Sequence, residues 1–337
     1  ADRIIGVLFS AAEPEVLADA ATYVRIVGLG LVPQFLLIVT NSVLRGSGDT
    51  KTPMRVTATA NVVNALFNYL LIFGVGIFPR LGVKGAAIAT ALAHTVGGCM
   101  ALAVLFSGRK VVGVTVHDDF RPHIPTLKRI LNIGIPAGME QGVMRIGQLI
   151  FTMILASLGT VAYAAHRIAI QAESISFMPG FGFALAATSL VGQALGAGEP
   201  EEAEHIGLEA ARIGACFMSA MGLLFLLFPR ALVGLFTNDG AVIAQSAVVI
   251  RIVAISQPFM AMHMVLAGSL RGAGDTRTVM VVSAIGICGI RIALAYVLVR
   301  LGYGLVGAWI AMVCDLITRG SLLYWRFRRG DWKRVRV

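Results

Sequence analysis

Long apolar segments separated by short polar connections recur along the whole chain. A helix needs about 20 mostly apolar residues to cross the hydrocarbon core of a bilayer, and each of these segments is long enough. The segments are apolar all round and lack the strict alternation over about ten residues that is typical of strands in a membrane β-barrel. The pattern predicts nine membrane-spanning helices, near residues 17–43, 55–78, 84–107, 129–157, 163–193, 207–234, 242–268, 279–300 and 304–325.

Composition supports a membrane location for most of the chain. Hydrophobic residues make up 57% and charged residues 14% of the 337 residues, whereas an ordinary soluble domain has about 25% charged residues. The mean hydropathy is +0.81. A soluble chain of this length would need more polar surface, so we expect most of the molecular surface to contact membrane lipid.

The net charge of +10 reflects basic residues distributed as in a membrane protein and does not indicate a nucleic-acid partner. The basic residues lie in short connections between apolar segments and in the C-terminal tail. Seventeen Lys and Arg residues lie on one side of the predicted membrane and five on the other. Because basic connections stay in the cytoplasm, this asymmetry predicts a cytoplasmic C-terminus.

One seven-residue motif occurs twice in the chain. Leu44–Thr50 reads LRGSGDT, and Leu270–Thr276 reads LRGAGDT, at an offset of 226 positions. A period this long indicates two duplicated lobes and not a solenoid of short repeats. Six predicted spans separate the two copies, so the repeat is parallel, with a pseudo-two-fold axis along the membrane normal. The predicted fold is an all-α polytopic membrane protein made of two pseudo-symmetric helix bundles.

The repeat also predicts the domain organisation. Residues 1–107 would be the remnant of an N-terminal lobe, with three full spans and the tail of another. Residues 108–127 would form a cytoplasmic linker, and residues 128–337 a C-terminal six-helix lobe with a basic tail. Alignment of the two units leaves roughly a hundred residues, or three spans, without a counterpart before Ala1, so we expect about nine of twelve helices to be present.

Two interpretations of the repeated motif stay open and are compatible. In the first, the glycines supply positive φ angles, Asp49 and Asp275 cap the following helices, and Arg45 and Arg271 hold the cytoplasmic interface. In the second, the motif is a gate or hinge whose Arg and Asp side chains pair across the two lobes in one transport state.

Three carboxylates lie within predicted spans, at Glu140, Glu173 and Asp315. An ionisable group inside a membrane is costly, so we include all three carboxylates in the candidate cation and substrate site. For Asp315 the structural alternative is an i, i+4 ion pair with Arg319. Arg145 follows Glu140 on the same helix, and we expect it to neutralise that carboxylate.

A helix break is expected close to Glu173, because Pro179 and Gly180 follow it within the same span. Irregular backbone at membrane depth is tolerated where it lines a cavity, and it leaves backbone groups free for a ligand. We therefore assign Pro179 to the gate or hinge elements.

Several amides also follow helical spacing inside spans. Gln141 begins a polar stripe on the helix that carries Glu140, and Asn64 and Asn68 lie on one face of the second predicted span. Such amides either bond neighbouring helices or line a transport pathway. We include all three in the candidate cation and substrate site.

Long ordered segments resemble the multidrug and toxic compound extrusion (MATE) transporters. The resemblance covers essentially the whole chain. It is carried by the first copy of the repeated motif with the residues after it (44–54), by Asn64, and by the segments 68–74, 134–141, 164–169, 174–182, 191–198 and 326–332.

The resemblance implies a secondary active antiporter that exports organic cations in exchange for H⁺ or Na⁺ by alternating access. It implies that Glu140 belongs to a cation site in the second lobe, where Na⁺ would bind in a sodium-coupled member. The expected partners are an amphipathic organic cation and membrane lipid, with no nucleic acid and no cofactor beyond the coupling ion. We expect a monomer in the bacterial inner membrane.

Alternatives from other classes remain at this point. A lipid-linked saccharide flippase of the same superfamily would have a more cationic cavity, which intramembrane Arg145, Arg167 and Arg291 would supply. An inactive fragment of a transporter is the second alternative. An enzyme is not expected, because the sequence contains no set of nucleophilic or metal-binding residues at convincing spacing.

Overall fold

A computed structural model describes residues 14–107, 112–115, 117–118 and 121–334 of the chain. All regular secondary structure in these residues is helical. The chain divides into two compact units between Phe120 and Arg121. The predicted linker, residues 108–127, lies partly outside the described residues.

The first unit contains four helices within the described residues. They are α1 (Pro14–Leu29), α2 (Leu31–Gly46), α3 (Lys51–Phe73) and α4 (Val83–Phe106). Helix α4 packs against the other three. A Cβ atom at Gly98 of α4 would lie 2.7 Å from the carbonyl oxygen of Pro33 in α2, so glycine is what permits this close approach.

The second unit contains nine α-helices among the described residues. They are α5 (Ile124–Ala156), α6 (Thr160–Gly196), α7 (Pro200–Leu227), α8 (Pro229–Gly234), α9 (Gly240–Ala254), α10 (Gln257–Gly272), α11 (Thr276–Ala284), α12 (Ala293–Leu298) and α13 (Gly304–Arg329). Two π-helical segments flank α12, at Ile285–Ile292 and Val299–Tyr303, and a 3₁₀ turn follows α13 at Asp331–Arg334.

Helices α6, α7 and α10 pack against one another at the centre of the second unit. Helix α13 packs on α10, and α5 packs on α11. Two apolar cores result. One surrounds Trp309, Phe151 and Ile250, and the other surrounds Leu266, Leu270 and Phe327.

Five helical stretches of the described residues are long and apolar enough to cross a membrane, or seven if each of two bent helix pairs is one span. One stretch, Thr276–Arg329, is 54 residues long and contains the last two predicted spans. Eight of the nine predicted spans overlap these stretches, and the second ends at Phe73; the span predicted at 129–157 is helical in α5 but is not among them. The predicted helical membrane fold is confirmed.

The chain reverses direction within the 54-residue stretch. Gly302 and Gly304 have φ angles of +90° and +51°, which side-chain-bearing residues rarely adopt. After this turn α13 packs back along α12, and a Cβ atom at Gly307 would lie 2.8 Å from the Cβ atoms of Leu298 and Tyr303. The stretch is therefore a helical hairpin, as the sequence predicts.

The expected helix break at Pro179 and Gly180 is wrong. Helix α6 continues from Thr160 to Gly196 with Pro179 inside it. Gly180 lies against the sulfur of Met218, so glycine serves packing there. The bends occur elsewhere, at Gly30 between α1 and α2 (50°) and between α9 and α10 (61°), where Pro258 occupies the first turn of α10.

Helices α6 and α10 approach closely because α10 presents glycine four residues apart. Cβ atoms at Gly268 and Gly272 would collide with the backbone of Ala184 and Thr188 in α6. The hydroxyl of Thr188 donates a hydrogen bond to the carbonyl oxygen of Gly268 (2.9 Å). Small residues at this spacing let membrane helices pack backbone to backbone.

We predict that Gly268→Ala separates α6 from α10 and destabilises the protein by about 1–3 kcal/mol, the range for overpacking a tight interface. Thermal unfolding of the purified protein in detergent measures the effect. Gly182→Ala on α6 is the control, because its Cβ atom would meet no atom within 4 Å. Equal melting temperatures for the two variants would contradict the packing argument.

Candidate functional site

Glu140 is buried in the second unit and is held by an arginine from the repeated motif. The guanidinium of Arg271 donates from Nη2 to Oε1 of Glu140 (2.6 Å) and from Nε to Oε2 (3.3 Å). The hydroxyl of Ser283 donates to Oε1 at 3.2 Å. The Glu140 side chain is 3% exposed and that of Arg271 is 33% exposed. Helices α5, α10 and α11 therefore meet at this carboxylate.

The expected partner of Glu140, Arg145, is not the one that the structure shows. Five positions along α5 place Arg145 on an exposed face of the helix, whereas Glu140 points into the unit. Gln141 is likewise exposed, with Gln148 on the same side of the helix. The neutralising charge comes from Arg271, a residue more distant in sequence.

Asp315 lies at the centre of a second buried charge cluster. Its expected i, i+4 pair with Arg319 is present, with Nε of Arg319 at 2.6 Å from Oδ1. Arg291, in the π-helical segment after α11, approaches Oδ2 at 2.7 Å. Arg319 also donates to Nε2 of His263 (2.9 Å). Asp315 is fully buried and bound to two arginines, which gives it a structural role among α10, α13 and the π-helical segment.

Glu173 differs from the other two carboxylates in its surroundings. It is 3% exposed on α6, and no ion-pair partner reaches it within 4 Å among the described residues. Its neighbours include Gln257 and the more distant charge of Arg291. Ser176, one turn along α6, donates to Oε1 of Gln257 at 2.6 Å. A buried carboxylate with only neutral partners at contact distance is suited to gain and lose a cation.

The helix-cap interpretation of the repeated motif is confirmed in both copies. The carboxylate of Asp49 accepts from the backbone N–H of Thr52 (2.9 Å), and that of Asp275 from the backbone N–H of Thr278 (3.3 Å). Gly48 and Gly274 have φ angles of +91° and +85°. The two loops thus share one backbone conformation. The proposed pairing across lobes stays a prediction.

The second copy of the motif is also fixed by the end of the chain. Arg326 bridges Asp275 (3.1 Å) and Asp331 (2.7 Å). Trp332 is buried, stacks on Phe327 and donates from Nε1 to its carbonyl oxygen. These contacts attach the 3₁₀ turn to the loop that follows Arg271 and contains Asp275.

A further contact secures this turn outside the spans. The ammonium of Lys333 lies 2.7 Å from the carboxylate of Glu204 on α7. The hydrogen bond to Glu204 raises the pKa of Lys333 above its ordinary value. This ion pair attaches the 3₁₀ turn to α7.

In the first unit, Asn64 and Asn68 bond each other and a neighbouring helix. The amide of Asn68 donates to Oδ1 of Asn64 (2.9 Å), and that of Asn64 lies 3.5 Å from the hydroxyl of Thr90 on α4. Arg45 donates to the hydroxyl of Ser42 at 3.3 Å. These amides join α3 to α4 within the described part of the unit.

Sequence patterns did not identify Ser283, Gln257 or His263 as neighbours of the buried charges. Ser283 and His263 lie in apolar spans without charged neighbours at helical spacing, and Gln257 marks only the start of α10. Their contacts depend on how the helices pack, which spacing along one helix does not reveal. The described residues contain no group of three or more His, Cys, Asp or Glu side chains arranged for a metal ion.

We predict that Asp315→Asn destabilises the protein strongly, by about 3–5 kcal/mol, because it leaves two buried arginines without a counter-charge. Asp331→Asn is the control, since Asp331 pairs with Arg326 and Arg329 at the surface and should contribute at most about 1 kcal/mol. Thermal unfolding in detergent compares the two. A smaller loss for Asp315→Asn than for Asp331→Asn would refute the structural role of Asp315.

Known proteins share both the sequence and the fold described above. The family model MatE matches residues 3–70 and 136–297. A probable multidrug resistance protein NorM of Thermotoga maritima is 35% identical over 338 residues, covering 98% of this chain and 71% of that protein. An uncharacterized transporter, YisQ, of Bacillus subtilis is 30% identical over 320 residues, covering 94% of this chain and 70% of that protein.

A solved structure has the same architecture. It shows the outward-facing conformation of a multidrug resistance MATE family transporter of the MOP superfamily, and it superposes with a TM-score of 0.90 at 25% identity. The match covers 99% of this chain and 75% of that one. With a family model that matches more than half of the residues and likeness to transporters over nearly the whole of this chain, the chain belongs to the MatE family: it is a multi-pass membrane protein of the MATE efflux transporters and not an enzyme.

Proposed function

We propose that this chain is a secondary active antiporter that exports amphipathic organic cations in exchange for H⁺ or Na⁺ by alternating access. The observation that carries the proposal is the different pairing of three buried carboxylates in the second unit. Asp315 is bound by two buried arginines, Glu140 by one partly exposed arginine, and Glu173 by no ion partner among the described residues. A graded set of this kind provides both fixed and exchangeable charge.

In this mechanism Glu140 and Glu173 bind the coupling ion and influence the bound organic cation. Asp315 keeps the neighbouring arginines in place and balances one of their two positive charges. Cargo and coupling ion need only differ in their affinity for the inward-facing and outward-facing states in order to bias the exchange between them. The antiporter requires no cofactor beyond the coupling ion.

The orientation and location of the protein are also part of the proposal, and the loops between the spans bear on the orientation. Their excess of Lys and Arg on one side supports a cytoplasmic location for both copies of the repeated motif and for the C-terminus. We assign the protein to the bacterial inner membrane, where it works as a monomer in contact with lipid.

The motif residues Arg45, Asp49, Arg271 and Asp275, with Pro179 in α6, serve as gate or hinge positions in this proposal. Gln141, Asn64 and Asn68 line the cation and substrate pathway.

The flippase alternative keeps its support. It relied on Arg145, Arg167 and Arg291 as an excess of positive charge. Arg291 is paired with Asp315, but Asp315 also pairs with Arg319, so this cluster still contains one more positive than negative group. Arg145 and Arg167 are exposed on the second unit and remain its basis. Lipid flipping and dye efflux, measured on the same reconstituted protein, distinguish these functions.

We predict that Glu140→Gln abolishes coupled efflux and leaves expression unchanged, because the amide cannot bind a proton or cation by charge. Ethidium efflux from energised cells, compared at equal protein level, measures the loss. Glu202→Gln, an exposed change on α7, is the control. Unchanged efflux by Glu140→Gln would remove Glu140 from the mechanism.

Glu173→Gln should also lower coupled efflux at least about tenfold, since an intramembrane carboxylate with neutral partners at contact distance is a coupling group by its chemistry. Melting temperature should change little, because the amide keeps the hydrogen-bonding neighbourhood of Gln257. Efflux by Glu173→Gln equal to that of Glu202→Gln would restrict coupling to Glu140.

A further inference from the structure

Glu140 cannot receive an external cation in the conformation described, because Arg271 already occupies it. Both carboxylate oxygens accept from the guanidinium, at 2.6 and 3.3 Å, and Ser283 contributes the remaining contact. This side-on fork satisfies the carboxylate's charge and most of its hydrogen-bonding capacity. The site is filled by a cation that belongs to the protein.

The Arg271 pair differs from the Asp315 pairs in accessibility. The guanidinium-bearing side chains around Asp315 are 11% and 3% exposed, for Arg291 and Arg319, so they are locked inside the unit. Arg271 is 33% exposed and covers a carboxylate that is 3% exposed. The arginine thus lies on the open side of a buried anion, where a competing cation can replace it.

The backbone around Arg271 is held in a fixed position next to the site. It is the second-last residue of α10, directly before the loop whose Gly274 turn and Asp275 cap are fixed. The loop is held by Arg326 through Asp275, and Thr276 donates to the carbonyl oxygen of Ile133 on α5 (3.1 Å). Gly268 before Arg271 bonds to Thr188 and Asp275 after it bonds to Arg326, so the guanidinium can leave Glu140 by rotation of the side chain alone.

The geometry points to Arg271 as a tethered competitor that occupies the cation site at Glu140 and must be displaced by each cation that binds there. If Arg271 left without a replacement, Glu140 would be a buried charge without a counter-charge. One cation therefore leaves the site only as another arrives. Arg271 sets the apparent affinity of the site, and it favours positively charged ligands over neutral ones. This inference rests on the proposed role of Glu140 as a cation site.

The test measures equilibrium binding of tetraphenylphosphonium, a monovalent lipophilic cation, to the purified full chain in detergent. Arg271→Gln should bind it about tenfold or more tightly and release it more slowly, because apparent affinity rises when a competing occupied state is removed. Arg277→Gln is the matched control, since it removes the same charge from an exposed position six residues away. It should bind like the wild-type protein.

Two further variants keep the experiment decisive. Arg271→Lys retains the charge but loses the fork, so binding should tighten by about threefold, and this variant decides the question if Arg271→Gln does not fold. In Glu140→Gln combined with Arg271→Gln, the gain should vanish and binding should equal that of Glu140→Gln alone.

Each contrary result has a distinct meaning. If Glu140→Gln weakens binding while Arg271→Gln and Arg271→Lys bind no more tightly than Arg277→Gln, the competitor role is wrong and Glu140 remains a cation site. If Glu140→Gln binds as well as the wild-type protein, the cation site at Glu140 is wrong, and the competitor role falls with it.

Discussion

Two of the three buried carboxylates in the second unit have arginine partners, and these ion pairs hold its helices together. Glu140 joins α5 to α10 and α11 through Arg271 and Ser283. Asp315 joins α13 to the π-helical segment through Arg291 and Arg319. Because water is scarce there, an unpaired charge would cost several kcal/mol, so the helices are held in an arrangement that brings these groups together.

Close packing of α10 against α6 brings Arg271 within reach of Glu140. Gly268 and Gly272 bring α10 against the backbone of α6, and Arg271 lies between them in sequence, on a different face of the helix. The glycines fix how deep α10 sits in the bundle, and the loop that follows is capped by Asp275 and tied to Arg326. The short segment from Gly268 to Gly272 therefore provides both the small residues for close packing and the arginine that pairs with Glu140.

The sequence predicts what depends on local pattern. Helical spans follow from apolar length, the two caps at Asp49 and Asp275 from motif chemistry, and the Asp315–Arg319 pair from i, i+4 spacing. Spacing along one helix favoured Arg145 as the partner of Glu140, yet the partner lies 131 positions away. Such pairs depend on the mutual rotation of packed helices. The helix break at Pro179 failed for a related reason, since neighbouring helices let α6 continue through a proline.

The two copies of the duplicated motif form the same turn, but the contacts of their arginines differ. Both copies form the same turn, with a glycine at positive φ and an aspartate that caps the next helix. The contacts of Arg45 in the first copy include Ser42 on its own helix, and Arg271 in the second copy contacts Glu140 on another helix. The backbone conformation preserves the fold of each loop, so it leaves the arginine side chain free to acquire a different partner. A structural turn can thus gain control of a buried carboxylate without any change in its own geometry.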